Sequence, residues 1–145
     1  MTPTEFGLIR ESWAAVEPIG NTAAGLFYGR LFELDPALER LFRRTDMAAQ
    51  RKVLMQTLTV VVKSIDRLDQ IVPAVQALGR RHAGYGVREE HYATVGAALL
   101  WTLEQGLGGA FTPAVRDAWT GAYGSLASVM VEAARTDTDD AEAAA

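Results

Sequence analysis

Apolar residues recur three or four positions apart along most of this chain, and this helical period is the feature that most limits its fold. The pattern is clearest after Pro113, where an apolar stripe runs from Val115 to Ala133. The alternation typical of strands never lasts more than a few residues. Proline and glycine residues separate the helical stretches. The sequence therefore predicts an all-α fold with six longer helices and a short helix after the second.

Capping residues and prolines predict where several of these helices begin. Thr2 precedes a proline and is followed three positions later by Glu5, which is the pattern of a capping box. Pro36 is predicted to start the short helix, which delivers Phe42. The next helix is predicted from about residue 48 to residue 66, with an inward face that is apolar except for Gln50 and a threonine.

Two glycines, Gly25 and Gly29, lie four positions apart on the second predicted helix. Glycine in a helix interior costs about 1 kcal/mol relative to alanine, so it needs a reason or must be merely tolerated. One interpretation is that another backbone crosses closely at these residues. The other is that the glycines are tolerated, and the sequence leaves both open.

The composition is that of one soluble domain, and it excludes several kinds of site. The chain has 145 residues, a net charge of −4 and no cysteine, so disulfides and thiolate metal sites are excluded. The acidic balance argues against a nucleic-acid partner. No signal peptide or membrane-length apolar run is visible, so a cytoplasmic location is expected. We assign residues 1–135 to the domain and residues 136–145 to an acidic, disordered tail.

Motifs of common enzymes are missing from this sequence. There is no glycine-rich phosphate loop, no serine in a nucleophile elbow, and no zinc-protease pair of histidines. Glu89, Glu90 and His91 are adjacent, so their side chains point in different directions on a helix. We interpret these three residues as a solvated helix start and not as a metal site.

His82 ends an aliphatic stripe that begins at Ile71 and continues through Val75 and Leu78. An imidazole on such a face needs a hydrogen-bond partner or a metal, because burying it unpaired costs about 1–3 kcal/mol. Taken alone, this pattern favours an ordinary hydrogen-bonded histidine over a metal ligand. Tyr28 and Gln50 are inward polar residues on two other predicted helices, and Phe42 lies at the corner between them.

Four stretches together carry a resemblance to a known family: LFYGRLFELDPALERLF, QRKVL, RRHAGYGVREEHYATVG and DAWTGAYGSLASV. With these stretches in this order, the sequence resembles the globins. It is most similar to the single-domain bacterial haemoglobins that are akin to the globin half of flavohaemoglobins, and it shares features with neuroglobin-like globins. The resemblance covers roughly residues 4 to 134.

The resemblance implies a haem b cofactor (iron protoporphyrin IX) and assigns roles to individual residues. His82 matches the proximal histidine that binds the haem iron, and Phe42 matches the aromatic residue that packs on the haem. Tyr28 and Gln50 match the tyrosine and glutamine of the distal side. The other residues expected to line the haem slot are Leu54, Leu78, Arg81, Val87, Tyr92, Val95, Leu99 and Tyr123.

Three details of the proximal side follow from these assignments. The second ring nitrogen of His82 is expected to meet the backbone carbonyl of Leu78, one turn earlier. Arg81 lies off the apolar face, where either pairing with a haem propionate or plain exposure to solvent is open. The family often has a glutamate on the last helix that polarises the proximal histidine. Ala134 stands at that position, and Glu132 is two residues away, so the resemblance does not imply the strong proximal push of flavohaemoglobins.

The resemblance implies a haem protein that reversibly binds the diatomic gases O2, CO and NO at five-coordinate iron. Its role would be oxygen delivery or storage, or gas scavenging. One alternative is a nitric oxide dioxygenase, as the resembled flavohaemoglobins are, with a separate reductase as partner because no flavin domain is visible. A further alternative is a haem-free interaction or sensor module with the globin shape.

Overall fold

The structure is a computed structural model that describes residues 1–144, with side chains described for residues 1–136. It contains six α-helices: α1 (Pro3–Val16), α2 (Gly20–Leu34), α3 (Met47–Lys63), α4 (Val72–Gly84), α5 (Glu89–Leu107) and α6 (Pro113–Ala144). Short 3-10 turns occupy Glu17–Ile19, Pro36–Phe42, Ile65–Ile71 and Gly108–Ala110. No strand occurs among the described residues. The predicted all-α fold, with six longer helices and a short one after the second, is confirmed.

The prediction of a disordered tail falls on residues whose side chains, from residue 137 onward, lie outside the described residues. It stays a prediction, as does the boundary between residues 135 and 136.

The helix starts follow from local hydrogen bonds. The Glu5 N–H donates to the Thr2 hydroxyl, and the Thr2 N–H donates to the Glu5 carboxylate, so the predicted capping box is present. Asp35 caps the Pro36–Phe42 turn by accepting from the N–H of Ala37, and Asp46 caps α3 in the same way. These caps fix the corner that carries Phe42.

The predicted end of α3 near residue 66 was wrong, because the helix stops at Lys63 and a 3-10 turn follows. Within that turn Arg67 has a non-helical backbone, with φ −148° and ψ 44°. Ile65 is buried, so the apolar period continues past the point where the α-helix ends. Periodicity alone cannot distinguish a continued helix from a tighter turn with the same buried face.

The core joins α1 to α6 and α3 through two tryptophans. Trp13 and Trp119 lie 6.0 Å apart between ring centroids. The indole N–H of Trp119 donates to the hydroxyl of Ser12 at 2.8 Å, and that of Trp13 donates to the hydroxyl of Thr59 at 3.1 Å. Both buried indole donors are therefore paired, so the aromatic core carries no penalty for unsatisfied polar groups.

Helices α3 and α4 are held by different neighbours. Among the described residues, α3 packs mainly on α2, and α4 packs mainly on α6. Neither helix is a main packing partner of the other, so apolar side chains near them remain half-buried. These include Leu54 and Leu58 on α3 and Leu78 on α4. Each of the two helices thus carries half-buried apolar side chains and is anchored on a different neighbour.

Gly79 allows α4 to pack closely against the backbone of α6. A Cβ atom built on Gly79 would lie 2.5 Å from the backbone oxygen of Met130 and 2.6 Å from its Cα. Backbone atoms cannot rotate away as a side chain can, so the helices approach this closely only because residue 79 has no side chain. His82 lies one turn later on α4, and its position relative to α6 depends on this contact.

We expect Gly79→Ala to lower the free energy of unfolding by about 1–3 kcal/mol, because overpacking against backbone outweighs the better helix propensity of alanine. Gly29→Ala is the matched control, since nothing lies within 4 Å of a Cβ atom at that position. The control should raise stability by about 0.5–1 kcal/mol. Urea titrations of both variants measure the difference, and equal midpoints would contradict the close-contact argument.

The surroundings of Gly25 and Gly29 decide between the two sequence interpretations. Only the Arg51 side chain comes within 4 Å of a Cβ atom at Gly25, at 3.9 Å, and no atom does so at Gly29. The close backbone crossing is therefore absent at both positions, and the glycines are merely tolerated.

Candidate functional site

Tyr28 and Gln50 form a hydrogen-bonded pair where α2 packs on α3. The side chain of Tyr28 is buried, with 6% of its surface exposed. The amide Nε2 of Gln50 donates to the Tyr28 hydroxyl oxygen at 3.1 Å. Burial raises the pKa of the Tyr28 phenol, and the bond from Gln50 acts in the opposite direction. The phenol is therefore protonated at neutral pH, and because it accepts from Gln50, its own proton stays available to another acceptor.

Phe42 packs against the same tyrosine. The rings of Tyr28 and Phe42 meet edge to face with centroids 5.5 Å apart. Phe32, one turn after Tyr28 on α2, lies 5.5 Å from Phe42. The sequence reasoning assigned no site role to Phe32, although its spacing from Tyr28 was a signal that the two share a face. The rings of Tyr28, Phe32 and Phe42 therefore form one contiguous aromatic cluster.

His82 is half-buried on α4, and one of its ring nitrogens is engaged. Nδ1 lies 2.8 Å from the backbone oxygen of Leu78, as predicted. A carbonyl can only accept, so Nδ1 carries the proton and Nε2 keeps its lone pair. Nε2 has no hydrogen-bond partner among the described residues. Burial lowers the pKa of His82 and the nearby Arg81 charge lowers it further, while the bond to Leu78 opposes both. The neutral imidazole is the favoured form at pH 7.

The donor set around His82 distinguishes between kinds of metal site. Within residues 1–136, no three histidine, cysteine, aspartate or glutamate side chains lie close enough together to hold a metal ion. A bare ion needs several protein ligands, whereas a metal in a macrocycle needs only one or two. A neutral imidazole whose Nε2 has no partner among the described residues fits the second kind of site.

Tyr92 and Tyr123 join α5 to α6 behind His82. The Tyr123 hydroxyl donates to the backbone carbonyl of Tyr92 at 2.5 Å. Burial raises the pKa of both phenols, and Tyr92 raises that of Tyr123 further. The absence of a side chain at Gly96 makes room for the Tyr123 ring, since a Cβ atom there would lie 2.8 Å from Cε2. Tyr123 therefore fixes the start of α5 relative to α6.

A cavity of about 260 Å³ lies beside Tyr92, and no sequence pattern predicts it. Ala83, which follows His82, lines this cavity, and so does Ala134 on α6. The Glu132 side chain is exposed. Ala134, which stands where the family often has a glutamate, thus lies in the lining of this cavity, and Glu132 does not. The remaining lining residues are Val87, Arg88, Glu89, Tyr92, Val131 and Arg135.

The other predicted site residues differ in how the fold places them. Leu54, Val87 and Val95 are half-buried, whereas Leu99 is buried in the core. Arg81 is exposed and has no carboxylate oxygen within 4.0 Å among residues 1–136. Direct contacts join Tyr28, Gln50 and Phe42, and others join His82 to Leu78 and Tyr92 to Tyr123. No hydrogen bond in the described part of the chain links the first group to His82.

His91 takes part in the start of α5. Its Nδ1 accepts the backbone N–H of Arg88 at 2.9 Å. Glu89 forms an ion pair with Arg135 on α6, and Glu90 is exposed. The interpretation of these three residues as a helix start is confirmed within the described residues.

None of the helices in the described part of the chain is long and apolar enough to cross a membrane. The expected cytoplasmic location stays a prediction.

Comparison with known proteins yields one family and consistent structural neighbours. The Globin family model matches residues 25–130. The chain is 33% identical over 126 residues to a flavohemoprotein of Bacillus subtilis, covering 86% of this chain and 32% of that protein. It is 31% identical over 134 residues to a flavohemoprotein of Vibrio cholerae, covering 91% of this chain and 34% of that protein. The chain thus spans about a third of the length of these relatives.

Two solved structures resemble the fold closely. A bacterial globin from Campylobacter jejuni superposes with a TM-score of 0.83 at 26% identity, covering 95% of this chain and 99% of that one. A hexacoordinated heme protein from an anhydrobiotic tardigrade gives a TM-score of 0.83 at 16% identity, covering 93% of this chain and 96% of that one. The tardigrade protein is similar in fold alone.

Proposed function

The chain belongs to the globin family, and from that premise we propose that it binds haem b. Through the haem it reversibly binds O2, CO and NO, and it serves in oxygen delivery, storage or scavenging. The observation that carries this proposal is the state of His82. Its Nδ1 is held by the Leu78 carbonyl at 2.8 Å, which leaves the Nε2 of a neutral imidazole without a hydrogen-bond partner among the described residues. Haem, when bound, supplies an iron atom with an open coordination position for a diatomic gas.

His82 is the proposed axial ligand, and the hydrogen bond to Leu78 has two effects on it. It fixes the tautomer, so that Nε2 is the nitrogen with a lone pair. It also fixes the ring orientation, because a backbone carbonyl in the same helical turn moves little relative to the imidazole. No rearrangement of His82 is then needed before a metal is bound.

Tyr28 is the proposed donor to the bound gas, and Gln50 is the residue that positions it. The Tyr28 hydroxyl accepts from the Gln50 amide, so its lone pair is used while its proton remains free. A phenol that accepts one bond is a stronger donor of the next. Gln50 is an amide, and it supplies no strong sixth ligand from α3.

Apolar residues are proposed to exclude water from the slot, and polar residues to meet the edge of the cofactor. Phe42 and Leu54 lie on the Tyr28 side, where the aromatic cluster is already packed. Arg81 is exposed beside His82, where a propionate would give it the anionic partner it lacks. The other proposed lining residues are Leu78, Val87, Tyr92, Val95, Leu99 and Tyr123.

Optical spectra of the purified protein test the proposal directly. We expect a Soret band after reconstitution with haem, a five-coordinate ferrous spectrum, and a spectrum that changes reversibly with oxygen. A protein that is folded but shows no Soret band after reconstitution would favour a haem-free interaction module and contradict the proposal.

We expect Ala134→Glu to lower the ferric/ferrous midpoint potential, because a carboxylate in the cavity beside Tyr92 and Ala83 stabilises the more positive ferric state. Unit charges on the order of 10 Å apart interact by about 0.4–1.7 kcal/mol at effective dielectric constants between bulk water and a protein surface. That range corresponds to about 20–70 mV for a one-electron couple. Spectroelectrochemical titration measures the shift.

Ala114→Glu is the control for this substitution. Ala114 is exposed near the start of α6, roughly 30 Å from Ala134 along the helix at about 1.5 Å per residue. It introduces the same charge at a distance where solvent and salt screen it. A potential that moves equally in both variants would show that the cavity has no special relation to the iron.

A second candidate function is the oxidation of nitric oxide to nitrate, and the similarity to flavohemoproteins favours it. Each turnover of that reaction consumes one electron. We therefore expect the purified protein to oxidise nitric oxide once per haem and then to stall unless a separate reductase is added. Stopped-flow measurement with excess nitric oxide and NADH tests this, and sustained turnover without a reductase would contradict it.

A further inference from the structure

Cationic side chains are concentrated in two segments of this acidic chain. Residues 40–52 contain Arg40, Arg43, Arg44, Arg51 and Lys52, and residues 80–88 contain Arg80, Arg81 and Arg88. These segments hold eight of the 14 lysines and arginines, whereas the whole chain has a net charge of −4. The only acid inside either segment is Asp46, whose carboxylate accepts two backbone N–H groups at the start of α3. The charge of the protein is therefore unevenly distributed.

The fold brings these two segments together. Gly86 has φ +98°, so the chain turns sharply after α4. A Cβ atom on Gly86 would lie 3.2 Å from the Cδ2 atom of Leu41, so this turn lies against the Pro36–Phe42 segment. Arg40 is adjacent to Leu41, and Arg81 precedes Gly86 by five residues. We call the cations of residues 40–52 and 80–88 together the cationic collar.

Most charges of the collar have no anionic partner among the side chains of residues 1–136. Its exposed members are Arg40, Arg43, Arg44, Lys52, Arg80, Arg81 and Arg88. Within residues 1–136 only Arg88 has a carboxylate oxygen within 4.0 Å, that of Glu90 at 3.9 Å. Arg51 is bonded instead to the amide of Asn21. By contrast, four of the six cations elsewhere are paired, namely Arg10, Arg30, Arg67 and Arg135.

An exposed aromatic residue lies at the same turn. Tyr85 is 71% exposed and stands between Arg81 and Arg88 in the sequence. Arginine and tyrosine are enriched among the residues that dominate protein–protein binding. The collar therefore has both the charge that steers an acidic partner and a side chain suited to the centre of a contact.

The collar adjoins residues proposed to lie on both sides of the haem. Arg43 and Arg44 follow Phe42, which packs on Tyr28, while Arg80 and Arg81 precede His82. A partner held by these charges would lie beside Phe42 and His82, the residues proposed to hold the cofactor. We propose that an acidic electron-transfer protein docks on the collar and reduces the iron, an inference that rests on the proposed function. One electron passes from the donor, which is oxidised, to ferric iron, which becomes ferrous, and no bond is made or broken.

The charge pattern favours a protein partner over a nucleic acid. Glu39, Glu89 and Glu90 border the collar, and the chain as a whole is acidic, so a long phosphate backbone would meet repulsion outside a short contact. A compact acidic face of another protein covers the collar alone.

The test uses the haem-loaded protein and a purified flavodoxin as the acidic one-electron donor. Isothermal titration calorimetry measures binding at low and at physiological salt. We expect the dissociation constant to rise about 10-fold or more with salt, since exposed charges are screened beyond about 8–10 Å. Arg43→Glu/Arg44→Glu should weaken binding about 10-fold or more and slow reduction of the ferric protein in stopped-flow experiments to a similar extent.

Lys63→Glu/Arg116→Glu is the matched control. Both residues are exposed and lack a carboxylate oxygen within 4.0 Å in the described part of the chain, and the substitution changes the net charge by the same amount. Lys63 ends α3, roughly 20 Å along the helix from Gln50. We expect less than about a twofold effect, because the control alters only the overall charge.

Three outcomes would overturn the docking proposal: equal effects of the two double variants, binding that ignores salt, or tighter binding of duplex DNA or phosphatidylserine vesicles than of flavodoxin. Each can occur while the Soret band and reversible oxygen binding are normal, so that the proposed function stands. A chain that takes up no haem would instead contradict the proposed function, and the absence of a Soret band identifies that outcome.

Discussion

Replacing His82 with glycine is expected to lower haem retention by at least about 100-fold, because removal of even an outer partner of a metal ligand costs about 10–100-fold. The substitution also leaves a space in α4 of the size of an imidazole ring. Free imidazole should occupy it and restore a large part of the five-coordinate ferrous spectrum. Transfer of haem to an excess of apomyoglobin measures the rate of haem loss for each variant, with and without imidazole.

His91→Ala is the control, since these are the two histidines of the chain. His91 accepts the N–H of Arg88 at the start of α5, so its loss should cost about 1 kcal/mol of stability as other caps do. Haem retention should be nearly unchanged. If the two variants lose haem at the same rate, or if imidazole restores neither spectrum nor retention in His82→Gly, then His82 is not the axial ligand.

Replacing Tyr28 with phenylalanine is expected to accelerate oxygen dissociation about 10- to 150-fold, since a hydrogen bond to a charged or partly charged acceptor contributes about 1.5–3 kcal/mol. Dissociation of CO should change much less, because bound CO is less polar. The ring of Tyr28 already packs against Phe42 and Phe27, and phenylalanine keeps those contacts. Stopped-flow displacement of oxygen by CO measures the rate.

The variant Gln50→Leu tests whether Tyr28 or Gln50 is the residue that donates to the bound gas. If Tyr28 donates directly and Gln50 positions it, Gln50→Leu alone should have the smaller effect, and the double variant should resemble Tyr28→Phe. Coupling of this kind is expected for residues that share a hydrogen bond, as these two do at 3.1 Å. An unchanged oxygen rate in Tyr28→Phe, together with a large effect of Gln50→Leu, would transfer the donor role to Gln50.

Most of the fold could be predicted because capping residues, prolines and apolar periodicity indicate helices from short stretches of sequence. The capping box of Thr2 and Glu5, the helix start at Pro36 and the apolar stripe from Val115 are local patterns, whose residues lie close in sequence or on one helix face. The structure contains the expected elements. The end of α3 was mispredicted because of Ile65, which lies in the 3-10 turn and is buried there. A longer α-helix would bury the same residue, so the apolar pattern does not distinguish the two. The bond from His82 to Leu78 was predictable because both partners belong to the same helical turn.

Less of the candidate site could be predicted from the sequence, because its contacts join residues on different helices. Sequence spacing placed Tyr28 and Gln50 on inward faces, but left open whether either was a donor. Only the packing of α2 on α3 decides that the amide donates to the phenol. The cavity beside Ala134 and the meeting of Leu41 with Gly86 involve residues about 40 or more positions apart, and no pattern within either segment reveals them.

The sequence by itself determined that this chain is helical, where most of its helices begin, and which imidazole ends an aliphatic stripe. Those properties depend on backbone dihedral preferences and on periodicity, which act over a few residues. The tertiary structure alone decided how closely the helices approach each other. It let α4 contact α6 at Gly79, packed α3 mainly on α2, and brought the two cationic segments together where Gly86 meets Leu41. These outcomes depend on steric fit and on charges brought together through space, which arise only when distant segments meet.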